Sequence, residues 1–503
     1  MMARLLHAEW TKFRTVRGWV IGAFIVVLAT VGVGLLAHQS CSYNGSACTL
    51  PLGPGGEAVA DTFYFVRQPL PGNGTITVRV TSLTGFYSPG GNQVQVGQGG
   101  QQNVRAGLQE WSKAGIIIKA NTAQGAAYAA MMVTGGHGAR MQYDFANDVP
   151  GLAGRVSAAS PRWLRLTRDG DTVTGYDSAD GTHWARVGAA TLPGLPVTAQ
   201  IGLFATSPAH NVVTSSLASQ TVTGGPTEAV ATMDHVELTG SASGWTGDQV
   251  GGGPGDMNAG LPGSYRQADG AFTVTGSGDI APDVPGIGAG DSIGLTLIGT
   301  FAGLIVAIVV ATMFITAEYR RGLIRTTFTA SPWRGRALAA KATVIGVVTF
   351  TAGLAAAVIA LPLGTATMRG GGVFVDPVPA LTVVRLVVGT AALLAVSAVL
   401  ALAIAAMVRR SAAAVTLGVV LVAGPYILAA LLSSSATQWL LRLTPAAGFA
   451  IQQAYPRYPQ VTTMYSVADG YYPLSPWAGF AVLCAWAVAA LALAAFLLRR
   501  RDA

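Results

Sequence analysis

Residues 316–341 read TAEYRRGLIRTTFTASPWRGRALAAK and lie between two apolar runs, Ile293 to Ile315 and Ala342 to Leu363. The segment carries Arg320, Arg321, Arg325, Arg334, Arg336 and Lys341 against one carboxylate, Glu318. Lys and Arg in short loops set the orientation of membrane helices, so this loop is expected on the cytoplasmic side. No Pro interrupts Tyr319 to Thr329, where Leu323, Ile324 and Phe328 recur at helical spacing with arginines between them. That pattern predicts a short amphipathic helix, ended by Ser331-Pro332, which needs a surface to dock on.

Four more uncharged or nearly uncharged runs flank this core: Trp19 to Ala37, Val383 to Met407, Ala412 to Leu432 and Trp477 to Leu498. A helix rises about 1.5 Å per residue and the bilayer core is about 30 Å thick, so six transmembrane helices are expected. For Trp19 to Ala37 a cleaved signal peptide competes, although such segments have apolar cores of about 7–15 residues. Ahead of it, Leu6, Trp10 and Phe13 share a helical stripe with Arg4, Lys12 and Arg14 off it, as in an elbow helix lying in the headgroup region over residues 1–18. Gly299 and Gly303 form a GxxxG that either packs helices closely or occurs by chance in an Ala/Gly-rich chain. Pro425 is expected to bend the fifth span.

Of 503 residues, 51% are hydrophobic and 11% charged, against about 25% charged in a soluble domain. The net charge of +8 is topological in origin. Residues 1–18, 316–341, 408–411 and 499–503 hold 15 basic and 3 acidic residues, whereas 38–292 holds 12 basic and 18 acidic. The basicity therefore marks the inner side and carries no nucleic-acid signal. Both termini, including the tail 499–503, are placed in the cytoplasm. Lysine is nearly absent, 4 against 27 arginines, which hints at a GC-rich bacterial genome.

Residues 38–290 have a different character. Alternating runs such as Thr75 to Val80, Arg162 to Arg168 and Thr232 to Leu238, separated by Asn73-Gly74, Asp169-Gly170 and Asp180-Gly181, predict an all-β sandwich with a core over 50–240, inserted between helices 1 and 2. Residues 241–290 are either extra strands or a linker; Ala271 to Ile280 alternates like a strand. Cys41 and Cys48 close a small disulfide on an oxidising outer side or stay as two thiols, and Cys484 lies in the last apolar run. A two-residue loop at Asp169-Gly170 would set Trp163 opposite Tyr176 and Leu166 opposite Val173. Leu164, Leu166 and Val173 then face the core. Trp163 and Tyr176 share the polar face, where they either stack on a sugar ring or form a structural cross-strand pair.

Glu318, Tyr319, Arg320, Gly322, Ile324, Pro332, Arg334 or Arg336, and Lys341, together with the N-terminal Glu9-Trp10-Thr11-Lys12-Phe13-Arg14, resemble ABC-2 type transporter permeases. The resemblance implies that the segment includes a coupling helix contacting a separate ATPase subunit, with Glu318, Arg320, Arg321, Gly322 and Arg325 as contact residues. It also implies a second permease copy, homodimeric or heterodimeric, and short helices dipping into the outer leaflet within 433–476, where Trp439, Leu440 and Leu441 precede Thr444-Pro445. Two blocks, Trp111 to Lys119 and Trp163 to Leu166 with Tyr176 to Trp184, resemble concanavalin A-like jelly-roll domains of bacterial surface proteins and glycosidases. A stretch like 271–280 precedes such a domain in that family, whereas here it follows.

No GxxxxGK[ST] occurs, so this chain is expected to hold no cofactor, with ATP and Mg²⁺ on the partner. No carboxylate or histidine sits mid-span, which argues against a proton relay, and Arg385 lies near a helix end, where it can snorkel. The six histidines show no metal-ligand spacing, and no catalytic carboxylate pair or Ser/His/Asp set stands out. The expectation is therefore a non-enzymatic permease subunit of an ATP-driven plasma-membrane exporter moving an apolar or amphiphilic substrate. The alternative is a membrane-anchored surface protein that binds or senses cell-wall glycan through its sandwich.

Overall fold

The computed structural model describes residues 2–36, 42–43, 46–47, 50–87, 105–216, 219–241, 243–252, 261–284, 290–320, 334–429, 434–461, 467 and 470–501. Cys41 and Cys48 lie outside the described residues, as do Arg321, Gly322 and Arg325.

An amphipathic helix, α1 (Met2–Thr15), turns at Val16 into α2 (Arg17–Leu36). After the sandwich come α3 (Thr300–Arg320), preceded by a 3-10 turn over Ile293–Leu297, α4 (Arg334–Gly370), α5 (Ala380–Val408), α6 (Ser411–Val422), α7 (Gly424–Ala429), α8 (Ser434–Leu443) and α9 (Pro476–Arg501). Six of these units are long and apolar enough to cross a membrane: α2, α3 with its turn, α4, α5, α6 with α7, and α9. Of these, α5 is the most enclosed, packed on α3, α4 and α9, and α2 the least. The fifth span is interrupted at Ala423, and Pro425, in the first turn of α7, cannot donate the i→i−4 bond to Leu421 O although the flanking bonds from Ala423 N and Ile427 N are kept. The 3-10 turn Pro445–Gln452 is buried throughout, wedged against α5 and α9.

Between α2 and α3 the chain builds a β-sandwich. Its strands are β1 (Val59–Asp61), β2 (Phe63–Pro71), β3 (Gly74–Tyr87), β4 (Lys113–Lys119), β5 (Tyr128–Thr134), β6 (Ala139–Tyr143), β7 (Asn147–Pro150), β8 (Arg162–Asp169), β9 (Thr172–Ser178), β10 (Ala185–Thr191), β11 (Thr198–Thr206), β12 (Thr227–Thr239), β13 (Thr246–Val250), β14 (Ser264–Ala268), β15 (Ala271–Gly276) and β16 (Ile280–Pro282). One sheet runs β7-β6-β5-β4-β11-β2-β13; the other runs β10-β9-β8-β3-β12-β15-β14, with the short strand Arg105–Ala106 beside β3. The stretch 246–282 thus supplies an edge strand to the first sheet and two strands to the second.

The two sheets bury different patterns. In the second, β8, β12 and β15 alternate, with Leu164, Leu166, Ala229, Ala231, Phe272 and Val274 turned inward. In the first, β4 and β5 are buried at every position. One face carries Ile116, Ile118, Met131 and Val133 into the inter-sheet core. The other carries Ile117, Tyr128, Ala130 and Met132 into a second core with Phe63, Phe65, Phe145 and Phe204. That outer face is covered by the ladder β1–β16, the two segments through which the chain enters and leaves the sandwich.

The β8–β9 hairpin corrects the expected register by two residues. Asp169 pairs with Thr172, so Gly170 and Asp171 form the loop; Trp163 stands opposite Ser178, and Tyr176 opposite Arg165. Gly170 has φ +59 and Asp171 is not left-handed, the pattern of a turn with Gly first, so the favoured Asp-Gly central pair does not form. A shift of two preserves the faces, and Leu164, Leu166 and Val173 remain buried.

Candidate functional site

At the bundle end farthest from the sandwich, four charged side chains meet. Glu9 and Phe13 of α1, four residues apart, turn into the bundle, and Phe13 packs on Phe314 of α3 with centroids 6.0 Å apart. Glu318 comes from the last turn of α3 and Lys341 from the start of α4. Lys341 Nζ donates to Glu9 Oε2 at 2.7 Å and to Glu318 Oε1 at 2.6 Å. Lys12 Nζ donates to Glu9 Oε1 at 2.9 Å and to Glu318 Oε1 at 3.1 Å. Lys341 is 2% exposed, and its ammonium lies 5.3 Å from the Phe314 ring centre. The set holds two cations and two anions, so it is neutral overall, the condition under which buried charges persist. Burial of the Lys12 ammonium works against its charge, but hydrogen bonds and proximity to Glu9 and Glu318 raise its pKa above the ordinary lysine value.

This cluster brackets the basic segment. Glu318 precedes residues 321–333 and Lys341 follows them. Arg409, at the left-handed end of α5, lies 5.4 Å from the Tyr319 ring centre, and Arg334 Nη1 donates to Leu498 O of α9 at 2.9 Å. Both ends of the segment are therefore tied to other elements, α1 and the α5 terminus at one side, α1 and α9 at the other. Glu318, read from sequence as an ATPase contact, points into this cluster; Arg320 ends α3.

Toward the sandwich, α2, α3, α7 and the 3-10 turn enclose a cleft of about 540 Å³. Phe301, Tyr426 and Phe449 form one wall, with ring centroids 5.5, 6.1 and 5.1 Å apart, and Val33, Ile298 and Ile427 line the mouth. Its lining also carries the Tyr426 and Tyr472 side chains and Gln452, whose Nε2 donates to Thr300 Oγ1 and Thr390 Oγ1, both at 3.0 Å. The Gln452 amide N–H groups are thus satisfied internally, and the lining is mostly apolar.

The sandwich rests on the helices through Asp376, in the loop between α4 and α5. Its Oδ1 accepts from Ala58 N at 2.7 Å and its Oδ2 from the Tyr455 hydroxyl at 2.7 Å. Beside it, Gly290–Asp291 pairs in parallel with Phe374–Val375, and Gln460 Nε2 donates to Phe145 O and Ala146 O, both at 3.3 Å. Burial raises the Asp376 pKa against the two hydrogen bonds that lower it.

On the open face of the second sheet, Trp163 and Tyr176 are half-buried and lie diagonally. Arg79, which pairs with Asp234 at 2.7 and 2.6 Å, stands 5.7 Å from the Trp163 ring centre; Gly181 abuts the same ring and His235 meets it edge-on. Arg165 stacks on Trp184 at 3.8 Å. Sequence reasoning missed the pairing of Glu9 with Lys341, the Asp376 dock and Gln452; the cluster had one usable signal, the scarcity of lysine.

No curated protein matches the chain. Among solved structures, a functionally unknown protein from Saccharomyces cerevisiae aligns at 15% identity over 42% of this chain and 99% of its own, with a TM-score of 0.23. Scytalido-glutamic peptidase with a transition-state analogue inhibitor aligns at 8% identity over 44% of this chain and 100% of its own, with a TM-score of 0.27. The sequence profile described as ABC-2 family transporter protein matches residues 5–503, which takes in α1, the sandwich and all six spans. With the whole bundle inside that match, the chain belongs to the ABC-2 family of transporter proteins.

Proposed function

We propose that this transport subunit is the permease of an ATP-driven exporter for an apolar or amphiphilic substrate, energised by a separate ATP-binding-cassette ATPase that carries ATP and Mg²⁺ and docks on residues 321–333. The observation that carries this reading is the neutral cluster of Glu9, Lys12, Glu318 and Lys341 at the roots of that segment. A segment moves α3 and α4 only if its ends are stiffly joined to them, and buried charge pairs resist separation because parting them strands a charge in low dielectric. In this arrangement Arg320, Arg321, Gly322 and Arg325 meet the ATPase, and Glu318 passes the movement to α1 and α4. The segment and both termini face the cytoplasm across a plasma membrane, the sandwich faces outward, and a second permease copy completes the pathway. The apolar cleft beside Phe301, Tyr426 and Phe449 supports the substrate class.

The test is ATP hydrolysis by the co-purified ATPase with full-length permease in lipid. Arg325→Glu combined with Gly322→Ala abolishes permease-dependent stimulation while membrane insertion is retained. Undiminished stimulation would sink the coupling assignment. Within the same proposal Trp163 and Tyr176 are the residues offered to a cell-wall glycan; full-length Trp163→Ala and Tyr176→Ala proteins then lose polysaccharide pull-down, and retention by both removes that role.

A further inference from the structure

In the second core of the sandwich, against the outer face of the first sheet, Lys119 of β4 and Asp61 of β1 are both wholly enclosed. Lys119 Nζ lies 2.7 Å from Asp61 Oδ2. Adding one carbon–oxygen bond length, about 1.2 Å, puts Nζ within about 3.9 Å of Asp61 Cγ, close to the separation at which bound groups react. The rings of Tyr128 and Phe145 flank the amine, with centres 5.7 and 5.6 Å away. Water is excluded from both partners.

We propose that Lys119 and Asp61 are a covalent cross-linking site, at which the ε-amine condenses with the carboxyl group to give an intramolecular amide. Starting from the ion pair, two of the three ammonium protons go to Oδ1, Nζ bonds to Cγ, the Cγ–Oδ1 bond breaks, and Oδ1 leaves as one water. Nothing is oxidised or reduced and no co-reactant is consumed.

The hydrogen bonds around the pair suit the product as well as the reactants. Gly125 N donates to Asp61 Oδ2 at 2.8 Å, which holds that oxygen as the amide carbonyl and stabilises the negative charge it carries while Cγ is tetrahedral. Gly125 has φ +77, and a Cβ there would fall 2.0 Å from Leu52 O, so only glycine brings this N–H to the carboxyl. Lys119 Nζ donates to Ala126 O at 2.9 Å, an acceptor already placed for the amide N–H. Desolvation lowers the Lys119 pKa despite the nearby Asp61 and Asp144, favouring the neutral amine that attack requires. Asp144, whose carboxyl pKa is raised by burial, accepts from Tyr128 N at 3.3 Å and acts on Lys119 through its charge. The Lys113–Asp279 pair, at 2.6 Å, differs in one respect: the Asp279 side chain is 15% exposed, so water reaches that carboxyl group.

An amide here closes a loop between positions 58 residues apart and fastens the segment that follows α2 to the middle of the first sheet. The sandwich and its membrane tether then move as one covalent body.

The test is peptide mapping of purified full-length protein by mass spectrometry. The expected result is a branched peptide joining the fragment that contains Asp61 to the fragment that contains Lys119, one water lighter than their sum, with no tryptic cut after Lys119. Lys119→Arg and Asp61→Ala each abolish the branched species. Recovery of both fragments from the wild-type chain as separate linear peptides overturns the proposal, and this result does not depend on whether either variant folds.

Discussion

Every lysine in this chain meets a carboxylate. Against 27 arginines the chain has four lysines, and all four stand in ion pairs: Lys12 and Lys341 with Glu9 and Glu318, Lys113 with Asp279, Lys119 with Asp61. A compact ammonium reaches two carboxylates at one point, as Lys341 does, where the planar fork of arginine would not fit. Replacing Lys341 by Ala leaves Glu9 and Glu318 with Lys12 alone, whose side chain is 46% exposed. Stranding a buried charge costs about 3–5 kcal/mol, and the remaining Lys12 puts the expected loss near 3 kcal/mol. Lys12→Ala costs about 1 kcal/mol or less, because a half-exposed partner is already screened. Thermal unfolding in detergent ranks the two, and Lys341→Ala with Glu318→Gln recovers part of the loss by removing one of the stranded charges; an equal loss for Lys341→Ala and Lys12→Ala would remove the cluster's structural role. The sequence showed Glu318 and Lys341 flanking a basic loop, but Glu9 is 332 positions from Lys341, and no local pattern records that pairing.

At the scale of elements, apolar length made the spans legible and gave their ends poorly. The third span was read as Ala342 to Leu363, whereas α4 runs from Arg334 to Gly370. Its extra turns carry Arg334, Arg336, Lys341 and Arg369, which no hydropathy window favours, and they are held by the charge cluster and by Leu498 O. The hairpin register was misread for a similarly local reason: Asp169-Gly170 and Gly170-Asp171 are both acceptable turn pairs by composition, and the backbone at Gly170 decides between them. The GxxxG is a contact within the chain. A Cβ at Gly299 would lie 1.8 Å from Thr30 O, and one at Gly303 2.0 Å from Thr30 Oγ1, so α2 and α3 meet backbone to backbone. Gly299→Ala is therefore expected to force the helices apart and lower the unfolding temperature. Gly18→Ala, at a position with nothing within 4 Å, gains up to about 1 kcal/mol of helix propensity. Equal unfolding temperatures for the two variants would mean that the close approach does not hold α2 in place.

At the scale of the whole molecule, the order of helix, sandwich and five helices was readable from composition, since alternation and unbroken apolar runs differ over tens of residues. The joint between sandwich and bundle was not, because backbone groups and one carboxylate make it. Asp376 accepts from Ala58 N and from the Tyr455 hydroxyl, and burial raises its pKa from the ordinary value of 3.8. A carboxyl whose pKa is higher docked than undocked binds its proton more tightly when docked, so its contribution to docking is fully present below the undocked pKa and is lost as pH rises through the docked one. Glu57, next in the chain to Ala58, is also raised by burial, with Asp144 and Asp376 adding to the effect, and therefore acts with the same sign. The joint is accordingly expected to tighten as pH falls from 7 toward about 4, the ordinary carboxylate range. Hydrogen exchange at 58–60 and 374–376, corrected for the intrinsic rate, should slow over that interval in full-length protein. Asp376→Asn keeps an acceptor for Ala58 N and cannot ionise, so its protection should vary less with pH, leaving the Glu57 part. Asp376→Ala leaves Ala58 N without its acceptor and the Tyr455 hydroxyl with only Asp291 O at 3.4 Å, and at about 1–3 kcal/mol for a buried polar group left unpaired it should raise exchange roughly tenfold or more at every pH. Unchanged exchange in Asp376→Ala would show that the parallel pairing of 290–291 with 374–375 and the Gln460 contacts hold the sandwich without it.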